Sequence, residues 1–155
     1  MAEVALLVGS KSDVAVAKGA IEILNRFGVG SQAFVCSAHR APERLRAVVR
    51  QAEADGARVF IAGAGLAAAL PGAVASLTRR PVIGLPLAAG PLNGIDALLA
   101  ISQMPPGVPV ATVAINGAAN AAYLSLEILA LSNTELDGRL AEWRREQSER
   151  LDAFE

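Results

Sequence analysis

One histidine and one cysteine stand among 155 residues, and tryptophan and tyrosine occur once each. With no second cysteine there is neither a disulfide nor a thiolate metal set. Cys36 lies in an apolar run, where burial raises a thiol's pKa and weakens it as a nucleophile. Such sparing cysteine usage fits a reducing cytoplasm, the compartment expected here. Aromatic side chains are too few to stack a flavin ring, which argues against an electron carrier. Charge of one sign is nowhere concentrated: 14 basic and 15 acidic residues are interspersed and leave a net charge of -1. No basic face is available for a nucleic-acid backbone, so the expected partner is a small molecule. The first residues, MAEVALLVGSKSD, lack a basic leader and read as a strand ending in a glycine turn rather than as a signal peptide. Two uncharged stretches, Val59 to Thr78 and Ala97 to Leu126, have the length of membrane spans, which need about 20 residues. Both are broken by glycine and proline (Gly63, Gly65, Pro71, Gly72; Pro105, Pro106, Gly107, Pro109), so no membrane segment is expected.

What the chain does have is an alternation of periods. Strand-length apolar runs recur at Val4 to Val8, Gln32 to Cys36, Val59 to Ala62, Val82 to Leu85 and Val110 to Ala114. Between them the spacing turns helical, with Val14, Ala17, Ile21 and Leu24 on one stripe and Leu45, Val48, Val49 and Ala52 on another. Apolar strands alternating with amphipathic helices indicate an α/β domain of three layers, a five-stranded parallel sheet between helices. The strand order expected is 2-1-3-4-5, the flavodoxin-like (Rossmann-like) arrangement. Residues 1–133 are expected to form this catalytic domain. An extra C-terminal helix over 134–155 carries Leu136, Leu140, Trp143, Leu151 and Phe154 on one stripe, to fold back on the domain or to cross to a neighbouring subunit.

In open sheets of this kind ligands gather beyond the carboxyl ends of the strands. GSKSD (9–13), SAHR (37–40) and GAGLAAALPG (63–72) each follow a strand and fall on that one rim. His39 exchanges protons near neutral pH and is followed at once by Arg40, a fork-shaped anion binder; its bland alternative is to cap the helix beginning near Pro42. Ser10, Ser12 and Asp13 sit where a helix opens, a place for phosphate, with Asp13 better suited to sugar hydroxyls or to simple capping. Arg40 and Ser37 add phosphate donors. GAGLAAALPG is nearly without polar side chains. Gly63, Ala64, Gly65 and Leu70 therefore offer backbone N–H groups and small apolar surface to a flat ring or to CO2, or else serve close packing.

These strings, with PVIGLP and LNGIDALLAISQMPPGVPVATVAINGAANAA, resemble the PurE family of purine biosynthesis, the N5-carboxyaminoimidazole ribonucleotide mutases, over nearly the whole chain. The resemblance implies a flavodoxin-like fold, a homo-octamer, and neither metal nor organic cofactor. It implies a reaction in which a carboxylate leaves the exocyclic nitrogen of an imidazole ribonucleotide as CO2 and is added to the ring carbon. It makes His39 the general acid and base, Ser10, Asp13 and Arg40 substrate-binding side chains, and Ser37 a phosphate contact. The mutases it resembles typically read GAGGAAHLPG, whereas this chain has Leu66 for a glycine and Ala69 for a histidine. Two alternatives stay open: a direct carboxylase taking free CO2, and a non-catalytic sensor of the purine intermediate, against which the retention of His39 argues.

Overall fold

The computed structural model describes residues 2–152. Five parallel strands, β1 (Val4–Val8), β2 (Ser31–Val35), β3 (Val59–Ala64), β4 (Val82–Pro86) and β5 (Ala111–Thr112), lie in the order β2-β1-β3-β4-β5, as the alternation predicts. Six helices connect and cover them: α1 (Val14–Arg26), α2 (Pro42–Ala54), α3 (Ala69–Ala75), α4 (Ile95–Ser102), α5 (Ala118–Ala130) and α6 (Thr134–Asp152). The two uncharged stretches resolve into strands, loops and short helices, and among the described residues no helix is long and apolar enough to cross a membrane.

Position in the sheet decides which strands are apolar throughout. Every residue of β1, β3 and β4 is buried, because these three strands have neighbours on both edges and helices on both faces. The edge strands differ. In β2, Gln32 and Ala33 are exposed, and β5 shrinks to two residues paired only to β4, Ile83 with Ala111 and Gly84 with Thr112. The apolar run Val110 to Ala114 is therefore longer than the strand it forms.

Side chains alternate between two cores. Val4, Leu6 and Val8 of β1, Ile61 of β3 and Leu85 of β4 face α1, α5 and the start of α6. Ala5, Leu7, Phe60 and Ala62 face the opposite way, against Leu45 and Val49 of α2, Leu70 and Val74 of α3 and Ile101 of α4. Gly84 belongs to this second face; a Cβ there would stand 2.3 Å from Ile101 Cγ2, so glycine lets α4 approach the sheet.

The terminal helix is seated over half its length. Asn133 begins it, its Oδ1 accepting from the Leu136 N–H at 3.1 Å, which satisfies a first-turn donor. Leu136 and Leu140 are buried in the first core, and Trp143 stacks on Tyr123 of α5 with ring centroids 4.3 Å apart. Phe27, which follows α1, meets both rings edge-on, at 6.1 Å from Tyr123 and 6.4 Å from Trp143. Beyond this the stripe leaves the domain: Leu151 is exposed, and Phe154 lies outside the described residues.

Candidate active site

The rim at the carboxyl ends of β1, β2 and β3 forms a cleft of about 440 Å³. One wall is polar and comes from the segments after β1 and β2: Ser10, Ser12, Asp13, Ser37, His39 and Arg40. The facing wall is apolar and runs from Ala64 to Leu70, with Ala89 added from the loop after β4.

GSKSD becomes a single 3-10 turn over Lys11–Asp13 leading into α1. The carboxylate of Asp13 does not cap α1. Instead its Oδ2 accepts from the Ser10 N–H at 3.1 Å, closing the turn on itself, while Oδ1 receives the Ser12 hydroxyl at 3.4 Å. The Ser10 and Ser12 hydroxyls are 2.6 Å apart, and either can donate to the other. The result is a compact group of hydroxyls and one carboxylate, suited to a polyhydroxylated or phosphorylated ligand.

SAHR begins where β2 ends, with the Cys36 N–H still paired to the Val8 carbonyl at 2.8 Å. The next residues turn outward. Ser37 Oγ accepts from the Arg40 N–H at 3.2 Å and from Arg40 Nε at 3.4 Å, so the serine both ties the turn and orients the guanidinium. Arg40 makes no ion pair with a carboxylate among the described residues, and its terminal nitrogens remain for an incoming anion. His39 is exposed at the cleft, and helix α2 has Ala41 as N-cap and Pro42 in its first turn. Capping by His39 is thereby excluded. Cys36 is buried beneath this turn; burial pushes its thiol up, with Arg44 pulling the other way, so it is no competitor as a nucleophile.

GAGLAAALPG is only partly a loop. Gly63 and Ala64 end β3, and Ala69 to Gly72 belong to α3, where Pro71 falls in the first turn and forfeits no intrahelical hydrogen bond. Ala64, Gly65 and Leu70 line the cleft as the sequence indicates. Gly63 does not. It lies buried in β3 behind the lining residues, where a Cβ would touch Val8, Leu85 and Leu87, the close-packing alternative for this glycine. Ala89 joins the wall although nothing in PLAAGPLNG marks one alanine as facing the cleft. The turn after β5 contributes support rather than lining: Asn116 Oδ1 accepts from the Ala88 N–H at 3.0 Å.

A wider hollow of about 660 Å³ lies between α5 and α6, but its arginine, Arg144, is already paired with Glu127, and no histidine lines it. Among the described residues no group of three or more His, Cys, Asp or Glu side chains is placed to hold a metal ion.

Residues 3–150 match the family described as AIR carboxylase. The chain belongs to the AIR carboxylase family. Within it, the N5-carboxyaminoimidazole ribonucleotide mutase of Pyrococcus abyssi is 51% identical over 94% of this chain and 84% of its own. The chloroplastic phosphoribosylaminoimidazole carboxylase of Vigna aconitifolia is 48% identical over 92% of this chain, which spans 26% of that longer protein. The crystal structure of Treponema denticola PurE superposes with a TM-score of 0.89 at 26% identity, covering 97% of this chain and 94% of the other. This AIR carboxylase chain therefore has a flavodoxin-like fold, and its motif-bearing segments meet in one cleft.

Proposed function

We propose that the chain is an N5-carboxyaminoimidazole ribonucleotide mutase of purine biosynthesis, converting N5-carboxyaminoimidazole ribonucleotide to 4-carboxy-5-aminoimidazole ribonucleotide. The observation that carries this reading is the division of the cleft: one imidazole and one free arginine on a polar wall, facing a wall with no polar side chain. Arg40 and Ser37 hold the phosphate, and Ser10 and Asp13 hold the ribose end. His39 in its protonated form gives a proton to the exocyclic nitrogen as the N–C bond breaks. The bonding pair stays on nitrogen and CO2 is released. The ring carbon then attacks CO2, a C–C bond forms, and the proton displaced from that carbon returns to His39. Atoms and charge balance, and neither metal nor cofactor is required. General acid–base transfer of this kind supplies about 10²–10⁴-fold in rate. Neutral CO2 asks of a wall only small apolar surface, which Ala64 to Leu70 provide.

A second reading, direct carboxylation of aminoimidazole ribonucleotide by free CO2, is favoured by two observations. Ala69 puts a methyl on the apolar wall, where the mutases it resembles carry histidine, and the Vigna aconitifolia relative is named as a carboxylase. Assaying the two donors separately decides between them. Product is expected from N5-carboxyaminoimidazole ribonucleotide without added bicarbonate, and several-fold slower product from aminoimidazole ribonucleotide at ambient CO2. The reverse preference establishes the carboxylase, and binding without turnover of either establishes the sensor.

The same reading places the protein in the cytoplasm and makes it a closed homo-oligomer, an octamer, with residues 134–155 contributing to packing or assembly. Support for assembly comes from the family likeness and from Leu92, Ile95 and Leu99, three exposed apolar side chains at helical spacing on and before α4. Light scattering at micromolar concentration is expected to give eight chains. A monomer there overturns this part of the proposal.

A further inference from the structure

Two residues in the four-residue loop between β3 and α3 hold left-handed backbone without being glycine, Leu66 at φ 55° and Ala68 at φ 44°. For a side chain as large as leucine this is an uncommon conformation, and glycine would adopt it without a steric penalty. Burial does not account for Leu66, which is 52% exposed. Its contacts give a better account. Leu66 lines the cleft, and its Cδ2 reaches so far toward the loop after β4 that a Cβ on Gly90 would lie 2.6 Å from it. Beside this contact, Gly65 leaves space for Ala89, whose Cβ would be 2.9 Å from a Cβ at position 65. Both loops are anchored: Ala68 N–H to Gly65 carbonyl at 3.0 Å on one side, and Leu87 N–H to Ala64 carbonyl at 2.9 Å and Ala88 N–H to Asn116 on the other. Leu66 is thus the side chain that spans two fixed loops over the apolar wall. Strain of this sort persists where the surroundings impose it, and functional sites are where it concentrates.

Resting on the mutase reading, we propose that Leu66 is a specificity-determining residue: its side chain, laid across to Gly90, retains released CO2 beside the ring carbon and so favours transfer over escape. CO2 carries no charge and the wall has no polar side chain to hold it, so its retention depends on how well the wall is covered. Leu66→Gly relaxes the backbone and uncovers the wall. Leu66→Ala keeps a Cβ and uncovers it equally.

The test follows a heavy-isotope label in the migrating carboxylate of N5-carboxyaminoimidazole ribonucleotide, with excess unlabelled bicarbonate and carbonic anhydrase present. Mass spectrometry of the product then gives the fraction of label kept. The wild type is expected to keep most of it; both variants are expected to lose label about threefold more readily, with the nucleotide KM within about twofold of wild type. Leu66→Met, which can still reach Gly90, is expected to restore retention. A purely structural role predicts otherwise, since Leu66→Gly would leave label retention unchanged while thermal stability rose with the relief of strain. Equal retention in wild type and in either folded variant overturns the proposal. Should the wild type make no product from this substrate yet carboxylate aminoimidazole ribonucleotide, the mutase reading fails on its own. The same role for Leu66 then predicts about a threefold rise in the KM for CO2 in both variants, and no rise overturns it.

Discussion

His39→Asn is expected to abolish turnover while leaving ribonucleotide binding within about tenfold of wild type. Asparagine keeps a planar polar group and deletes the acid–base function of the imidazole, so the loss falls on the chemical step. General acid–base catalysis is worth about 10²–10⁴-fold, equivalent to about 3–5 kcal/mol of barrier. The fold should not register the change. His39 is exposed, its imidazole makes no hydrogen bond with another described residue, and the helix after it is capped at Ala41. Steady-state kinetics beside isothermal calorimetry separates the two quantities. Turnover near the wild-type rate would remove His39 from the mechanism, and lost binding with unchanged kcat at saturation would make it a ligand instead.

Arg40→Ala should weaken the phosphorylated nucleotide by about thirtyfold, the equivalent of a charge-assisted pair worth about 2 kcal/mol, and leave the dephosphorylated nucleoside nearly unaffected. The contrast between the two ligands isolates the phosphate. The turn itself survives the substitution, because the backbone N–H of residue 40 still donates to Ser37 Oγ. Only the weaker Nε contact to that oxygen is lost. Arg40→Lys should recover part of the difference, since it restores charge without the planar fork. Equal losses for nucleotide and nucleoside would place Arg40 away from the phosphate.

Strand order and the location of the cleft were legible in the sequence because both follow from periodicity. Apolar runs separated by amphipathic helices leave few topologies, and in those the loops that carry function share one edge. Where the reading missed, a local signal was ambiguous. Gly63 reads as the start of a loop, since glycine commonly marks turns, but it continues β3 because it is paired on both edges, with Val8 of β1 and Leu85 of β4. Pro71 looked like a breaker and instead sits in the first turn of α3. The end of β5 could not be read from Val110 to Ala114, because its length depends on having one neighbour rather than two. Ala89 and the support from Asn116 were not visible at all: they enter the cleft through the relative placement of two loops, which no string records.

The only tryptophan and the only tyrosine of the chain are stacked on each other where α6 lies on α5. Intrinsic fluorescence is therefore a report from a single place. Emission will follow the seating of the terminal helix and will be nearly blind to events in the cleft, so release of that helix can be watched optically while catalysis is followed by other means. Ligand titrations, for the same reason, call for an added chromophore or for calorimetry.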